Sequence, residues 1–222
     1  MSIPHGGLLA PESMPDRCCQ CPQREQDKDH KKCPVIVVND GFTIDLGLEI
    51  KNAIVACTGL QPFMVINHLQ RSKLDPNREL KIGAQCHEAQ EAFKVYHQYI
   101  KSALQRLQKG LLIDLHGRGK SDGMTQLGYC LSKEVLTRGY TLEDLEQCSI
   151  SNICDKKDDA LKGPNSLGAF LQNEGLKAVP SPAYPIPASG ISLKFSPQCL
   201  KILKNAIFLM GFSNSVCEKS CF

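Results

Sequence analysis

The chain has 222 residues, of which 42% are hydrophobic and 22% are charged, and its formal net charge is +3. This length suits one sizeable domain or two small ones, and so weak a charge argues against nucleic acid or an anionic membrane as the main partner. The apolar stretch from Ala206 to Phe212 is far shorter than the roughly 20 residues that a membrane-spanning helix needs.

The cysteine content and the first residues bear on the compartment. The sequence has 12 cysteines, but Met1-Ser-Ile-Pro-His5 lacks the basic start and apolar core of a signal peptide. Several cysteines fall within helical or strand-like patterns, namely Cys57, Cys86 and Cys130. We therefore expect reduced thiols and a cytoplasmic protein.

The first part of the chain predicts alternating strands and helices. The β-branched run from Pro34 to Asn39 predicts a strand buried on both faces. Capping residues at 40–43 predict the start of a helix that runs to about Cys57 and ends before Thr58-Gly59. A second strand is predicted from Phe63 to Asn67, followed by a loop from Arg71 to Arg78.

The following segments continue the alternation. Apolar residues recur at helical spacing from Gln85 to Gln108, and Leu111 to Leu115 reads as a short strand. This order predicts an α/β fold with helices on both faces of a sheet, a three-layer α/β/α arrangement. Ligands of such sheets lie beyond the carboxyl ends of the strands, where we expect His116 and the loop that carries Arg71.

The end of the chain has a different pattern. We expect one α/β domain over residues 1–187 and a divergent tail over 188–222, because no alternation continues the sheet after Ala188. One short amphipathic helix is predicted there, from about Pro197 to Phe212.

Two sets of residues predict chemistry. Arg71, Asn77 and Arg78 lie in a loop that Asp75-Pro76 holds in shape, and arginine is well shaped to bind a carboxylate through two parallel hydrogen bonds. His116 ends a strand beside Asp114, which shares its face and could fix the imidazole. His5, Glu12 and His116 could then supply the three ligands of a catalytic zinc.

Another arrangement of ligands is also present in the sequence. Cys18, Cys21, His30 and Cys33 have a spacing that could close a structural zinc knuckle. The residues between them are mostly charged and offer no core to fold over a metal, so a surface loop is the competing interpretation.

The motifs, taken in order, resemble those of the N-formylglutamate amidohydrolase family, which is related to zinc carboxypeptidases and aspartoacylases. The similarity covers Ile3 to about Pro187. It is carried by Pro4-His5-Gly-Gly7 with Pro11-Glu12 and Asp16-Arg17, Val65-Ile-Asn-His-Leu-Gln-Arg-Ser-Lys-Leu-Asp-Pro-Asn-Arg78, Gly110-Leu-Leu-Ile-Asp-Leu-His-Gly117, Gln126-Leu-Gly-Tyr129, Gly163-Pro-Asn-Ser-Leu-Gly168 and Val179-Pro-Ser181.

The resemblance implies a mixed, zinc-carboxypeptidase-like sheet and hydrolysis of a small carboxylated N-acyl amino acid such as N-formylglutamate. His5, Glu12 and His116 would bind zinc, and Arg71 would stabilise the oxyanion formed when water attacks the amide carbonyl. Asn77 and Arg78 would hold the substrate carboxylate.

The sequence also departs from the family. The family has a Gly-Gly-Tyr segment and then a strand bearing the general-base glutamate, whereas here Pro187 is followed by Ala-Ser-Gly-Ile-Ser-Leu-Lys-Phe. A general base contributes ~10²–10⁴-fold, so we expect a shortened, incomplete form whose activity is impaired. A binder of carboxylated metabolites without turnover, and a zinc-knuckle interaction module, are the alternatives.

Overall fold

The structure is a computed structural model that describes residues 1–18, 35–107, 110–117, 122–151, 157–187 and 206–210. It contains both helices and strands, so the predicted α/β class is confirmed. The chain divides into two compact units. The N-terminal unit is Ile3–Arg106, and the C-terminal unit is Met1–Ser2 with Leu107–Phe222.

The regular structure described in the N-terminal unit is mainly helical. Its elements are α1 (Thr43–Thr58), β2 (Val65–Ile66), α2 (Leu80–Gly83) and α3 (His87–Arg106), and it also holds the second residue of β1 (Ser2–Ile3). The amide of Asn67 donates to the carbonyl of Ile3 at 3.0 Å, which places β2 beside β1. The predicted strand at 63–67 is therefore present over a shorter length.

The two longest helices follow their predicted positions. α1 ends at Thr58 and is capped by Gly59, which has a left-handed φ of 70° and donates its amide to the carbonyl of Val55. α3 is amphipathic and buries Ala89, Tyr96 and Ile100. Ala89 packs in a small core with Met14, Leu74 and Ala84.

The strand predicted from Pro34 to Asn39 is wrong over the described residues 35–39, which form no regular element. Val38 is 72% exposed, so the β-branched side chains are not buried on both faces. The reason lies in the backbone, because the carbonyls of Ile36 and Val38 accept hydrogen bonds from arginines elsewhere in the unit. These polar partners take the place of a neighbouring strand.

The C-terminal unit contains a mixed sheet. Its strands are β3 (Leu112–His116), β4 (Met124–Gly128), β5 (Lys177–Val179) and β6 (Ala206–Met210). Ser2 of β1 pairs in parallel with Asp114 of β3, β3 is parallel to β6, β6 is antiparallel to β4, and β4 is parallel to β5. Buried side chains of this unit include Leu115, Leu127 and Val179 in the strands and Leu161 outside them.

The described part of the C-terminal unit also contains four short helices: α4 (Lys133–Arg138), α5 (Leu142–Gln147), α6 (Lys157–Lys162) and α7 (Leu167–Asn173). Three of them begin at a side-chain cap. In α5, Thr141 and Asp144 form a reciprocal capping box, and Ser132 and Ser166 cap α4 and α7.

The helix predicted from Pro197 to Phe212 is wrong at residues 206–210. The prediction that nothing after Ala188 continues the sheet is wrong at the same residues. These five residues form β6, which lies between β3 and β4. Ala-Ile-Phe-Leu-Met is a short, continuous apolar run, and periodicity alone cannot separate a buried strand from a buried helix in such a run. The other residues of the predicted helix lie outside the described part of the chain.

A search of the described helices for one both long enough and apolar enough to cross a bilayer finds none.

Candidate functional site

His5 is the centre of a buried polar cluster in the N-terminal unit. Its side chain is 1% exposed, and its ring lies between two carboxylates. Nδ1 is 3.2 Å from Asp40 Oδ2, and Nε2 is 2.7 Å from Asp75 Oδ1. A neutral imidazole has only one N–H to donate. The arrangement is therefore completed either by a second ring proton or by a metal ion that takes the place of one proton.

The backbone around His5 fixes this position. The amide of Asp40 donates to the carbonyl of His5 at 2.9 Å, and the side-chain amide of Asn67 donates to the carbonyl of Pro4 at 2.8 Å. A Cβ at Gly7 would overlap the carbonyl group of His68. Gly7, two residues after His5, thus permits a close approach of two chain segments that a side chain would block.

Asp75 is the most heavily bonded carboxylate of the cluster and is fully buried. It accepts hydrogen bonds from Arg71 Nε at 2.9 Å and from the amide of Asn77 at 3.0 Å, in addition to its contact with His5. Arg17 Nη2 lies 3.7 Å away. Burial by itself would raise the pKa of Asp75, but the hydrogen bond from His5 and the charges of His5 and Arg71 outweigh it and hold that pKa well below its usual value.

Arg71 contacts the same two carboxylates as His5, those of Asp40 and Asp75. Its Nε donates to Asp75, and its Nη1 lies 3.4 Å from both Asp40 Oδ1 and the carbonyl of Val38. His5, Asp40, Arg71 and Asp75 therefore form a closed cycle in which two nitrogen-bearing side chains alternate with two carboxylates. We call this the His5–Arg71 ring.

Arg17 contacts two members of this ring, the carbonyl of Arg71 and the carboxylate of Asp75. It is 3% exposed, and its guanidinium donates to the carbonyls of Arg71, Ile36 and Ile82. Burial lowers the pKa of Arg17, and Asp75 partly offsets this effect. Its contacts tie three segments of the unit together, which is a structural rather than a chemical role.

The two residues predicted to bind a substrate carboxylate, Asn77 and Arg78, follow Asp75-Pro76 in the sequence. The amide of Asn77 bonds to the Asp75 carboxylate two residues earlier, which is the turn that Asp75-Pro76-Asn77 predicts. The side chain of Arg78 is 30% exposed, and its Nε lies 3.9 Å from Asp75. That Nε is buried and has no hydrogen-bond partner among the described residues.

Glu12 does not share the environment of the predicted metal ligands. It lies exposed in a turn at 12–14, while the carboxylates in contact with the His5 ring are those of Asp40 and Asp75. The role of Glu12 as a metal ligand stays a prediction. Asp40 is held 3.2 Å from His5 Nδ1, which makes its carboxylate a further candidate ligand.

His116 lies in the C-terminal unit as the last residue of β3. Its Nε2 is 3.0 Å from Asp114 Oδ2, so the predicted contact between these two side chains is present. Asp114 also accepts a 2.6 Å hydrogen bond from Ser2 Oγ. The roles of His116 as a metal ligand and of Asp114 as its partner in a metal site stay predictions.

The alternative zinc knuckle is described at one of its four residues. Cys18 is exposed, and its backbone exchanges hydrogen bonds with the side chain of Gln85. Cys21, His30 and Cys33 lie outside the described residues.

Comparisons with protein-family models, with curated proteins and with solved structures find no match for this chain. The resemblance to amidohydrolases therefore stays a prediction from motifs.

Two residues of the ring were missed as functional candidates. Asp40 directly follows the apolar run 35–39, but its position before a helix made it look like a capping residue. Asp75 lies between Arg71 and Arg78, but its neighbour Pro76 made it look like a turn residue. A carboxylate among several arginines was the available signal, since clustered cations need a counter-charge.

Proposed function

We propose that this chain is a zinc-dependent hydrolase scaffold for small, carboxylated N-acyl amino acids, with low turnover. The observation that carries the proposal is the His5–Arg71 ring, in which a buried histidine is held at both nitrogens by carboxylates. The finer fold that goes with the proposal is a three-layer, zinc-carboxypeptidase-like sheet.

The donor chemistry of the ring fits zinc. Zinc accepts imidazole nitrogen and carboxylate oxygen, and His5 and Asp40 offer one of each within 3.2 Å of each other. In this proposal His5 Nδ1 and Asp40 bind the metal, and the resemblance adds His116 as a third ligand. When bound, zinc would polarise the amide carbonyl and activate water.

Asp75 positions the histidine in this proposal. Its 2.7 Å contact with Nε2 fixes the ring orientation and makes Nδ1 the nitrogen available to a cation. Because Asp75 also holds Arg71, one carboxylate orients both the proposed metal ligand and the proposed oxyanion-binding group.

Substrate binding is assigned to the arginine loop. Arg78 has a half-buried guanidinium whose Nε lacks a hydrogen-bond partner in the described part of the unit, which suits the binding of a carboxylate. Asn77 is the neighbouring polar group in this assignment, and Arg71 faces the developing negative charge on the amide oxygen.

Low turnover is proposed because the residues after Pro187 do not match the glutamate-bearing strand of the resembled family. Without a general base the rate falls by ~10²–10⁴-fold. Arg78 also favours a second candidate function, because its partly exposed guanidinium has an Nε without a described hydrogen-bond partner. In that function the protein binds carboxylated metabolites and does not turn them over.

Zinc analysis of two matched variants tests the proposal. Wild-type protein should bind about one zinc per chain, as a mononuclear site requires, and Asp40→Asn should weaken that binding at least about tenfold because a ligand is lost. Glu12→Gln makes the same chemical change at an exposed site and should leave zinc binding unchanged. His116→Ala should also release the metal if the resemblance holds.

Other outcomes would select an alternative. Folded wild-type protein that binds no zinc contradicts the proposal. Zinc that is lost in Cys21→Ser and retained in Asp40→Asn indicates the knuckle instead. Binding of N-formylglutamate by calorimetry, weakened by Arg78→Ala and without any hydrolysis product, favours the binder.

A further inference from the structure

The N-terminal unit has a second concave feature, and none of the four residues of the His5–Arg71 ring lines it. It is a groove of about 700 Å³ between the segment around β2 and one face of α3. Ligand sites commonly have volumes of ~300–1,000 Å³. Its α3 wall includes Val95, which is 45% exposed, and Tyr99, which is 63% exposed. The groove therefore presents apolar surface that the described residues leave uncovered.

The groove runs along the edge of β2 rather than over one face. Every residue from 63 to 69 lines it, whereas a groove against one face of an extended segment would be lined by alternate residues. β2 also lies at the end of the strand order, with β1 as its single described neighbour. An edge strand offers backbone N–H and C=O groups to another extended chain.

One end of the groove carries positive charge. Leu74, which lines the groove, packs with Ala89 near the start of α3. Arg106 is the last residue of α3 and lies about 25 Å along the helix axis from Ala89, at 1.5 Å per residue. Arg106 lines the groove, and the lining residues include no aspartate or glutamate. An acidic group on the occupant would meet this charge without repulsion.

We propose that this groove binds an extended peptide segment of a partner protein, which adds to the edge of β2 as a further strand. Alternate apolar side chains of the peptide pack against Val95 and Tyr99, and an acidic side chain or terminal carboxylate lies near Arg106. A strand edge beside a helix is a known way to bind peptides by strand addition, in which main-chain hydrogen bonds give affinity and alternate side-chain pockets give specificity.

Selection from a phage-displayed library of random decapeptides tests the proposal. The enriched peptides should alternate apolar and polar residues and contain an acidic residue. A synthetic copy of the best one, followed by fluorescence anisotropy, should bind wild-type protein and bind Val95→Lys at least about tenfold more weakly, a change of about 1.4 kcal/mol. Gln98→Lys puts the same charge on an exposed position of α3 that does not line the groove, and should bind as wild type does.

A second measurement separates strand addition from simple apolar contact. Methylation of alternate backbone nitrogens removes the ladder donors on one edge of the peptide, so one of the two methylated series should lose binding and the other should keep it. Arg106→Ala should weaken binding of the acidic peptide and leave its amide counterpart unchanged.

Several results would overturn the proposal. They are a library that yields no enriched peptide, equal binding to Val95→Lys and Gln98→Lys, or no effect of either methylated series. Circular dichroism of each variant establishes that it is folded, and Tyr99→Lys serves as the second groove variant. Saturable binding of a fluorescent fatty acid in place of peptide would assign the groove to a small amphiphile instead.

Discussion

Asp75 in the N-terminal unit and Tyr129 in the C-terminal unit are both almost fully buried, at 0% and 2% exposure, yet their surroundings differ. The carboxylate of Asp75 is met by His5, Arg71 and the amide of Asn77. The hydroxyl of Tyr129 has no hydrogen-bond partner in the described part of the chain, and burial, with a smaller effect of Cys148, raises its pKa.

The difference follows from what each group loses on leaving water. A buried carboxylate without counter-charges is too costly to persist in its charged form, whereas an unbonded hydroxyl costs only ~1–3 kcal/mol. The cations and hydrogen-bond donors around Asp75 therefore indicate a site where a carboxylate stays charged although it is buried. The C-terminal unit shows how the protein buries a polar atom when no charge is at stake.

The largest expected effect comes from removing the carboxylate of Asp75. Asp75→Ala leaves His5, Arg71 and Arg17 without their common acceptor, and breaking a buried charge cluster in this way typically costs ~3–5 kcal/mol. Urea unfolding measures the loss. Glu91→Ala, which removes an exposed carboxylate paired with Lys94, should have a much smaller effect. Equal losses for the two variants would contradict a special role for the buried carboxylate.

The same carboxylate should make the protein sensitive to acid. Because its folded pKa lies below the usual 3.8, Asp75 contributes stability that is fully present above that value and is lost as the pH falls below it toward the folded pKa. The free energy of unfolding should fall by up to about 1.4 kcal/mol per pH unit from this group below pH ~3.8. Asp75→Asn should lack this part of the slope in unfolding titrations from pH 5 to pH 2, and parallel curves would contradict it.

The smallest expected effect is at Tyr129. Tyr129→Phe removes a hydroxyl with no described partner, so the free energy of unfolding should stay within about 1 kcal/mol of wild type or rise. Leu127→Ala, two residues earlier at a fully buried position of β4, should cost ~2–5 kcal/mol. A loss for Tyr129→Phe as large as that for Leu127→Ala would show that the hydroxyl is bonded.

Part of this architecture could be predicted from the sequence, because local patterns determine it. The periodicity of α3, the glycine after α1 and the apolar run that ends at His116 all gave correct elements. The segment 35–39 failed because its carbonyls bond to Arg17 and Arg71, which no local pattern records. β6 failed because its partners, β3 and β4, are distant in the sequence.

The candidate site shows the same division. The arginine loop and the contact of His116 with Asp114 could be proposed from spacing, since each involves neighbours in the sequence. Asp40 and Asp75 meet at His5 only through tertiary structure. Glu12 was proposed from its place seven residues after His5, beside a glycine-rich turn, whereas Asp40 lies 35 residues from His5 and no local pattern links the two.

The central position of β6 has a consequence for biosynthesis. β3 and β4 emerge from the ribosome well before residues 206–210, which separate them in the sheet. Until then both strands expose open hydrogen-bonding edges, and long-range pairing is slow to form. Nascent chains of this protein would therefore spend time in a state that favours aggregation and depends on chaperones.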